Sequence, residues 1–186
     1  MSLAERLAGL KRDPALESLQ RSLDVYYGDT AREAAMDALY ARFVQPGDLA
    51  FDIGSHVGDR IGAFRRLGAR VVALEPQPLC AHAIRAIYAG DTNVTLVESA
   101  CGPAAGKISL HVNTANPTVT TASRDFVKAA DGAGGWEGQV WDREIEVPVT
   151  TLDALIAAHG APNFVKIDVE GFEADVLAGL GQALPA

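Results

Sequence analysis

The sequence predicts a doubly wound α/β domain, and three observations carry that expectation. A short apolar run, Leu49-Ala-Phe-Asp-Ile53, leads through Gly54 and Gly58 into a helical pattern. A second run, Val71 to Leu74, ends on Glu75, and a third, Phe164 to Val169, carries Asp168 and runs into Glu170. Helix-period stretches alternate with these runs, the arrangement of a parallel sheet with right-handed crossovers. At 186 residues, 48% apolar and 22% charged, the chain is sized for one domain that buries its core without staples.

Residues 1–45 read as an N-terminal helical extension of two or three helices. Leu3, Leu7 and Leu10 share one helical face, as do Leu16, Leu19 and Leu23. Thr30, with Glu33 three residues on, predicts a capping box. Pro46-Gly47 closes this part and Asp48 leads into the first strand, Leu49–Ile53, so a second unit is expected over 46–186. Its first helix should run from about Val57 to Leu67, stopped by Gly68 in a left-handed cap. Arg70–Leu74 is the second strand. Pro76 and Pro78 then open a helix to about Tyr88, where a missing N–H costs nothing. Asn93–Val97 is the third strand. The rhythm then changes: Lys107–Val112 and Glu144–Val149 alternate like strands, and residues 113–143 between them, with Trp136 and Trp141, read as a lid or insertion. Thr151–His159 is a short amphipathic helix, Phe164–Val169 an apolar strand and Phe172–Leu180 a last helix.

Chemistry concentrates at the strand tips. Where a nicotinamide fold has G-x-G-x-x-G, this chain has Asp52-x-Gly54 followed by Gly58. A carboxylate there repels a pyrophosphate but suits a cation, and S-adenosylmethionine carries a sulfonium and an ammonium with no phosphate. Gly54 is expected to let the backbone pass close to that ligand, and Ser55 to offer its N–H and hydroxyl to the ligand carboxylate. Glu75 is placed to accept hydrogen bonds from both ribose hydroxyls. The alternative is that Asp52 and Ser55 only cap the following helix and that Glu75 is a solvated strand end.

The stretches Phe43–Gly58, Val72-Ala-Leu-Glu-Pro76, Val149–Asp153 and, most distinctively, Phe164-Val-Lys-Ile-Asp-Val-Glu-Gly-Phe-Glu173 resemble the FkbM family of S-adenosylmethionine-dependent methyltransferases. The resemblance spans about Tyr26 to Leu180 in the family's motif order. It implies a Rossmann-like class I methyltransferase sheet and methyl transfer to a hydroxyl on a sugar, polyketide or other secondary metabolite. Matched residue by residue, it implies Asp52, Gly54, Ser55 and Gly58 as the cofactor loop, Glu75 with Pro76 at the ribose, and Glu98 and Ser99 beside the adenine. The family fold continues into further strands, whereas this chain ends at Leu184-Pro-Ala186. The expectation is a sheet truncated at its C-terminal strands, leaving the Phe164 strand as an apolar edge that a homodimer would cover.

Lys166, Asp168 and Glu170 alternate along the last strand and its exit, so their side chains are expected to point one way. Beside the first strand, Asp168 would face the sulfonium or position the acceptor, and Glu170 would take the hydroxyl proton. The competing reading is a structural Lys166–carboxylate pair with Glu170 capping the next helix. His56, inside the loop, is a further catalytic candidate, against a plain packing role. No pair of histidines has metal-ligand spacing, so no structural zinc is expected, while magnesium held by carboxylates stays open.

A formal charge of −8 argues against nucleic acid and for a small hydroxyl-bearing acceptor. Cys80 and Cys101 read as buried thiols of a reducing compartment. With no apolar run long enough for a membrane span and no signal-like opening, the expected location is cytoplasmic. Two readings compete with methyl transfer. One is a nicotinamide-dependent oxidoreductase, which Asp52 opposes; the other is a non-catalytic module that binds the cofactor without turnover.

Overall fold

Four parallel strands carry the candidate site in the computed structural model, which describes residues 1–183. They are β1 (Leu49–Ile53), β2 (Arg70–Leu74), β3 (Val94–Val97) and β7 (Phe164–Ile167), in the order β3-β2-β1-β7. All five residues of β1 are buried, as expected of a central strand covered on both faces. The crossover helices are α4 (Asp59–Arg66) and α5 (Pro78–Ile87). Gly68, at φ 88°, ends the turn after α4, where the Ala69 N–H reaches back to the Phe64 carbonyl at 3.0 Å. Pro78 opens α5 as expected. Among the described residues β7 has one strand neighbour, β1. The expected chain end at Leu184–Ala186 lies outside the described residues.

The alternating strands form a second sheet that the sequence did not foreshadow. Here β5 (Gly106–Val112) pairs antiparallel with β6 (Arg143–Thr150), and β6 pairs parallel with the short β4 (Ala100–Cys101). The insertion between β5 and β6 is ordered: a 3-10 turn at Pro117–Val119, then α6 (Arg124–Ala130), and a cluster of Phe126, Trp136 and Trp141. The Trp141 ring N–H anchors the cluster on the Val119 carbonyl at 2.9 Å. The last helices are α7 (Leu152–His159), capped by Thr151, and α8 (Glu173–Ala178).

At the N-terminus α1 (Leu3–Leu10), a 3-10 segment (Pro14–Leu19), α2 (Gln20–Tyr27) and α3 (Thr30–Tyr40) pack against the parallel sheet's helices. Leu10, Leu16, Leu19 and Leu23 bury against Val57, Cys80, Ala83 and Ile87, with Leu7 partly buried beside them, whereas Leu3, expected on the same face, is exposed at the start of α1. One expected cap is corrected. Asp29, not Thr30, caps α3, accepting from the Ala31 and Arg32 N–H groups, so Glu33 falls one position too late for a capping box. A carboxylate competes well for an N-cap position, at about 1 kcal/mol over an apolar residue. Among the described residues no helix is long and apolar enough to cross a membrane.

Candidate functional site

The carboxyl ends of β1, β2 and β7 open into one cavity. Its lining includes Gly54, Ser55, His56, Glu75, Pro76, Ser99, Asp168 and Glu170, which gathers eight of the residues singled out from sequence. Asp52, Gly58 and Glu98 do not line it. Glu98 is exposed and pairs with Arg85, because its side chain leaves the strand on the solvent face. Gly58, at φ 84°, caps α4 beneath Tyr88, whose hydroxyl donates to the Gly58 carbonyl at 2.5 Å.

Asp52 has a different place from the expected cation receptor. Parallel register sets it beside Lys166 on β7, and the Lys166 ammonium stands 3.1 Å from Oδ1. Asp52 is 0% exposed, and neither carboxylate oxygen accepts a hydrogen bond in good geometry, so the contact is an electrostatic pair. Lys166 also donates to the Gly54 carbonyl at 2.6 Å and lies 3.8 Å from Asp168. Burial opposes its charge, but Asp52 and Asp168 outweigh that and hold Lys166 above the ordinary lysine range.

The glycine loop is folded onto the protein itself. The Gly54 and Ser55 N–H groups both donate to the Leu74 carbonyl, at 3.0 and 2.9 Å, and the Ser55 hydroxyl donates to the Asp52 carbonyl at 2.8 Å. Both donors expected to serve a ligand carboxylate are therefore engaged internally. Gly54, at φ 78°, is required by the neighbouring strand: a Cβ there would overlap the Asp168 carbonyl oxygen.

Glu75 is buried at the tip of β2, where it accepts the His56 N–H at 2.7 Å and the Gln77 N–H at 2.9 Å. Burial pushes its carboxyl up to about 7 against the pull of these two donors. Each oxygen keeps a further lone pair, so the site fits a ligand that brings additional hydroxyl donors. The solvated alternative for Glu75 does not hold.

His56 is occupied by protein contacts. At φ 50° its ring reaches the Ser22 hydroxyl on α2 at 2.9 Å through Nε2, and Cys80 Sγ at 3.5 Å through Nδ1. Burial pulls it down to about 4, so the ring is neutral at physiological pH. Its geometry is that of a link between the N-terminal helices and the glycine loop.

The turn after β7 is held by its backbone. Glu173 accepts the Val169 and Gly171 N–H groups at 3.0 and 3.3 Å, and the Thr121 hydroxyl donates to the Glu170 carbonyl at 2.6 Å. Glu170 sits at φ 52°, and Phe126 of the insertion packs over Gly171. Because the strand ends at Ile167, strict alternation does not orient Asp168 and Glu170; this turn does. Asp168 is 63% exposed at the mouth, and Glu170 is half-buried. Burial, then the Asp168 and Glu173 charges, raise Glu170 above the usual carboxylate range.

Sequence reasoning missed Tyr26, Asp59, Arg60 and a threonine row, all lining the cavity. Gln77 donates to Thr120 at 2.7 Å, and Thr118 lies 3.4 Å from His56, so the insertion is tied across the opening at several points. The run Pro117-Thr-Val-Thr-Thr121 was a legible signal of a polar wall; the recruitment of α2 was not.

A parallel β3-β2-β1-β7 sheet, with a glycine loop after its first strand and an acid at the tip of its second, is the Rossmann-like fold of a methyltransferase. Residues 52–186 match the family described as the methyltransferase FkbM domain. The chain is also 31% identical, over 183 residues, to the 31-O-demethyl-FK506 methyltransferase FkbM of Streptomyces tacrolimicus, covering 82% of this chain and 68% of that protein. The chain belongs to the FkbM methyltransferase family.

Proposed function

We propose that the protein is an S-adenosylmethionine-dependent O-methyltransferase acting on a hydroxyl of a small molecule. The observation that carries this reading is one cavity lined both by buried Glu75 with the glycine loop and by the acidic side chains of Asp168, exposed, and Glu170, half-buried. The relative's name, which specifies an O-demethyl compound as substrate, supports a hydroxyl acceptor. In this reading Glu75 receives the ribose hydroxyls, and Pro76 and Ser99 wall the nucleoside side. When bound, S-adenosylmethionine supplies a methyl group made electrophilic by its sulfonium. Asp168 holds the acceptor or faces the positive charge at the mouth, and Glu170 takes the proton as the acceptor oxygen gains the methyl. Lys166 and Asp52 hold the loop beneath these groups, and His56 ties the helical cap of residues 1–45 to it. Residues 113–143 form the wall that meets the acceptor.

Calorimetric titration with S-adenosylmethionine, S-adenosylhomocysteine and NAD tests the cofactor class, with Glu75→Ala as control. Saturable binding of the first two, weakened by the substitution and absent for NAD, is the expected result. Binding of NAD alone defeats the reading. Methyl transfer to a panel of hydroxylated acceptors, followed by mass, then tests the chemistry.

A further inference from the structure

The turn that carries Glu170 is set largely from outside its own strand and helix. Glu170 stands at φ 52° and Gly171 at φ 89°, two successive residues in the left-handed region. For a residue with a side chain that conformation is strained, and it persists only where the surroundings impose it. Glu173 holds the flanking N–H groups of Val169 and Gly171, but not Glu170 itself. That falls to the insertion. The Thr121 hydroxyl donates to the Glu170 carbonyl at 2.6 Å, the one hydrogen bond that the Glu170 backbone makes among the described residues. Phe126 on α6 closes the other side, where a Cβ on Gly171 would meet its ring at 2.9 Å.

Thr121 is built to hold this turn. It is 1% exposed, and its backbone exchanges two hydrogen bonds with His111 of β5, at 2.8 and 3.1 Å. Its hydroxyl also accepts the Ser123 N–H at 2.9 Å, at the start of α6. The hydroxyl proton is therefore committed to Glu170, which leaves no donor for a ligand although Thr121 lines the cavity. One side chain thus ties the second sheet to the turn after β7.

We infer that Thr121 is the positioning residue for Glu170: its hydroxyl fixes the left-handed turn from which the glutamate meets the acceptor, and Phe126 backs that turn. Such a role acts on the chemical step, because a proton acceptor must stand within hydrogen-bond reach of the hydroxyl that it serves. The insertion then does more than wall the acceptor, since it also sets the group that takes the acceptor's proton. This inference rests on the O-methyltransferase reading above.

A mutant cycle with Glu170 tests it. Thr121→Val, which keeps the shape and removes the hydroxyl, should lower kcat for methyl transfer roughly 10-fold, with affinity for S-adenosylhomocysteine held within about twofold. In a Glu170→Gln background the same substitution should cost less than about twofold, since the group it serves is already gone. Thr121→Ser, which restores the donor, should recover the rate to within about threefold. An equal loss in both backgrounds, no loss in either, or a serine variant as slow as the valine one overturns the assignment. A second readout needs neither turnover nor ligand. The Glu170 carboxyl carbon, followed by carbon NMR and assigned with Glu170→Gln, reports burial and the charges of Asp168, Glu173 and Lys166. Its midpoint should move toward the ordinary 4.5 in Thr121→Val, as the turn loosens and the side chain meets water; an unchanged midpoint overturns the positioning role. Should Thr121→Val unfold, Phe126→Leu keeps the hydroxyl bond, thins the ring contact and carries both measurements with smaller shifts. If the unsubstituted protein binds no S-adenosylmethionine, the reading above fails, while the carboxyl titration still decides whether Thr121 sets Glu170.

Discussion

Two neighbouring strand tips carry aspartates that meet opposite fates. Asp52 on β1 is 0% exposed and sits beside Lys166, whereas the Asp168 side chain after β7 is 63% exposed at the cavity mouth. The difference lies in position. β1 has strands on both sides, so a charge on it must be compensated inside the protein; Asp168 stands one residue past the end of its strand, where water or a ligand can reach it. A carboxylate at a strand tip is therefore not a binding group by virtue of its type. The one buried against Lys166 at 3.1 Å shapes the loop, and the one that meets the same ammonium only at 3.8 Å keeps an exposed side chain.

The largest expected effect comes from breaking the inner pair. Asp52→Ala leaves the buried Lys166 charge with the Gly54 carbonyl and the exposed Asp168 carboxylate at 3.8 Å, and should cost about 3–5 kcal/mol of stability in denaturant unfolding. The double substitution with Lys166→Met should recover much of that loss; a double variant no more stable than Asp52→Ala would deny the pairing. Next comes the outer turn. Glu170→Gln should lower methyl transfer roughly 100-fold with unfolding unchanged. The fall in rate on acidification, expected above the ordinary glutamate range because burial and two carboxylates raise Glu170, should vanish with it. Retention of that acidic limb in Glu170→Gln would assign the proton to another group.

Glu75 sharpens the comparison through pH. Its folded value of about 7 lies above the ordinary glutamate value of 4.5, so the folded state binds more protons than the unfolded one across that window. Its contribution to stability is present below about 4.5 and is lost as pH rises to about 7. The stability of the unsubstituted protein relative to Glu75→Gln, which mimics the protonated carboxyl, should therefore fall along that path. Cofactor affinity should move the other way, since hydroxyl donors favour the ionised carboxylate: it should rise with pH and level off above about 7. A pH-independent affinity would remove Glu75 from the contact. The smallest effect is on the exposed aspartate. Asp168→Ala should cost no more than about 1 kcal/mol of unfolding free energy, the scale of an exposed ion pair, here with Lys166. A loss near that of Asp52→Ala would erase the contrast between the two tips.

Much of the frame was legible in sequence because short apolar runs and turn residues report it directly. The parallel strands came within one or two residues of the expected bounds, and the stops at Gly68 and Pro78 fell where expected. The second sheet was not legible, since β4 has only two residues and no periodicity to detect. Within the site, Gly54 was singled out for close approach to a ligand, whereas the group that approaches it in the structure is the Asp168 carbonyl just after β7. His56 was noticed for its place in the loop; its engagement by Ser22 and Cys80 depends on residues 34 and 24 positions away.

The amino-acid sequence by itself determined the class of the protein: the order of strands and helices, the glycine loop, the acids at the strand tips and the FkbM motif block. These are local patterns, and local patterns follow from backbone preference and hydrophobic period. Tertiary structure alone decided which charges are spent and which are free. Lys166 reaches Asp52 because two strands distant in sequence lie in register, and Tyr26 reaches the cavity because apolar helices have no other surface on which to bury. Burial sets the cost of a charge, and burial is known only once the chain has packed.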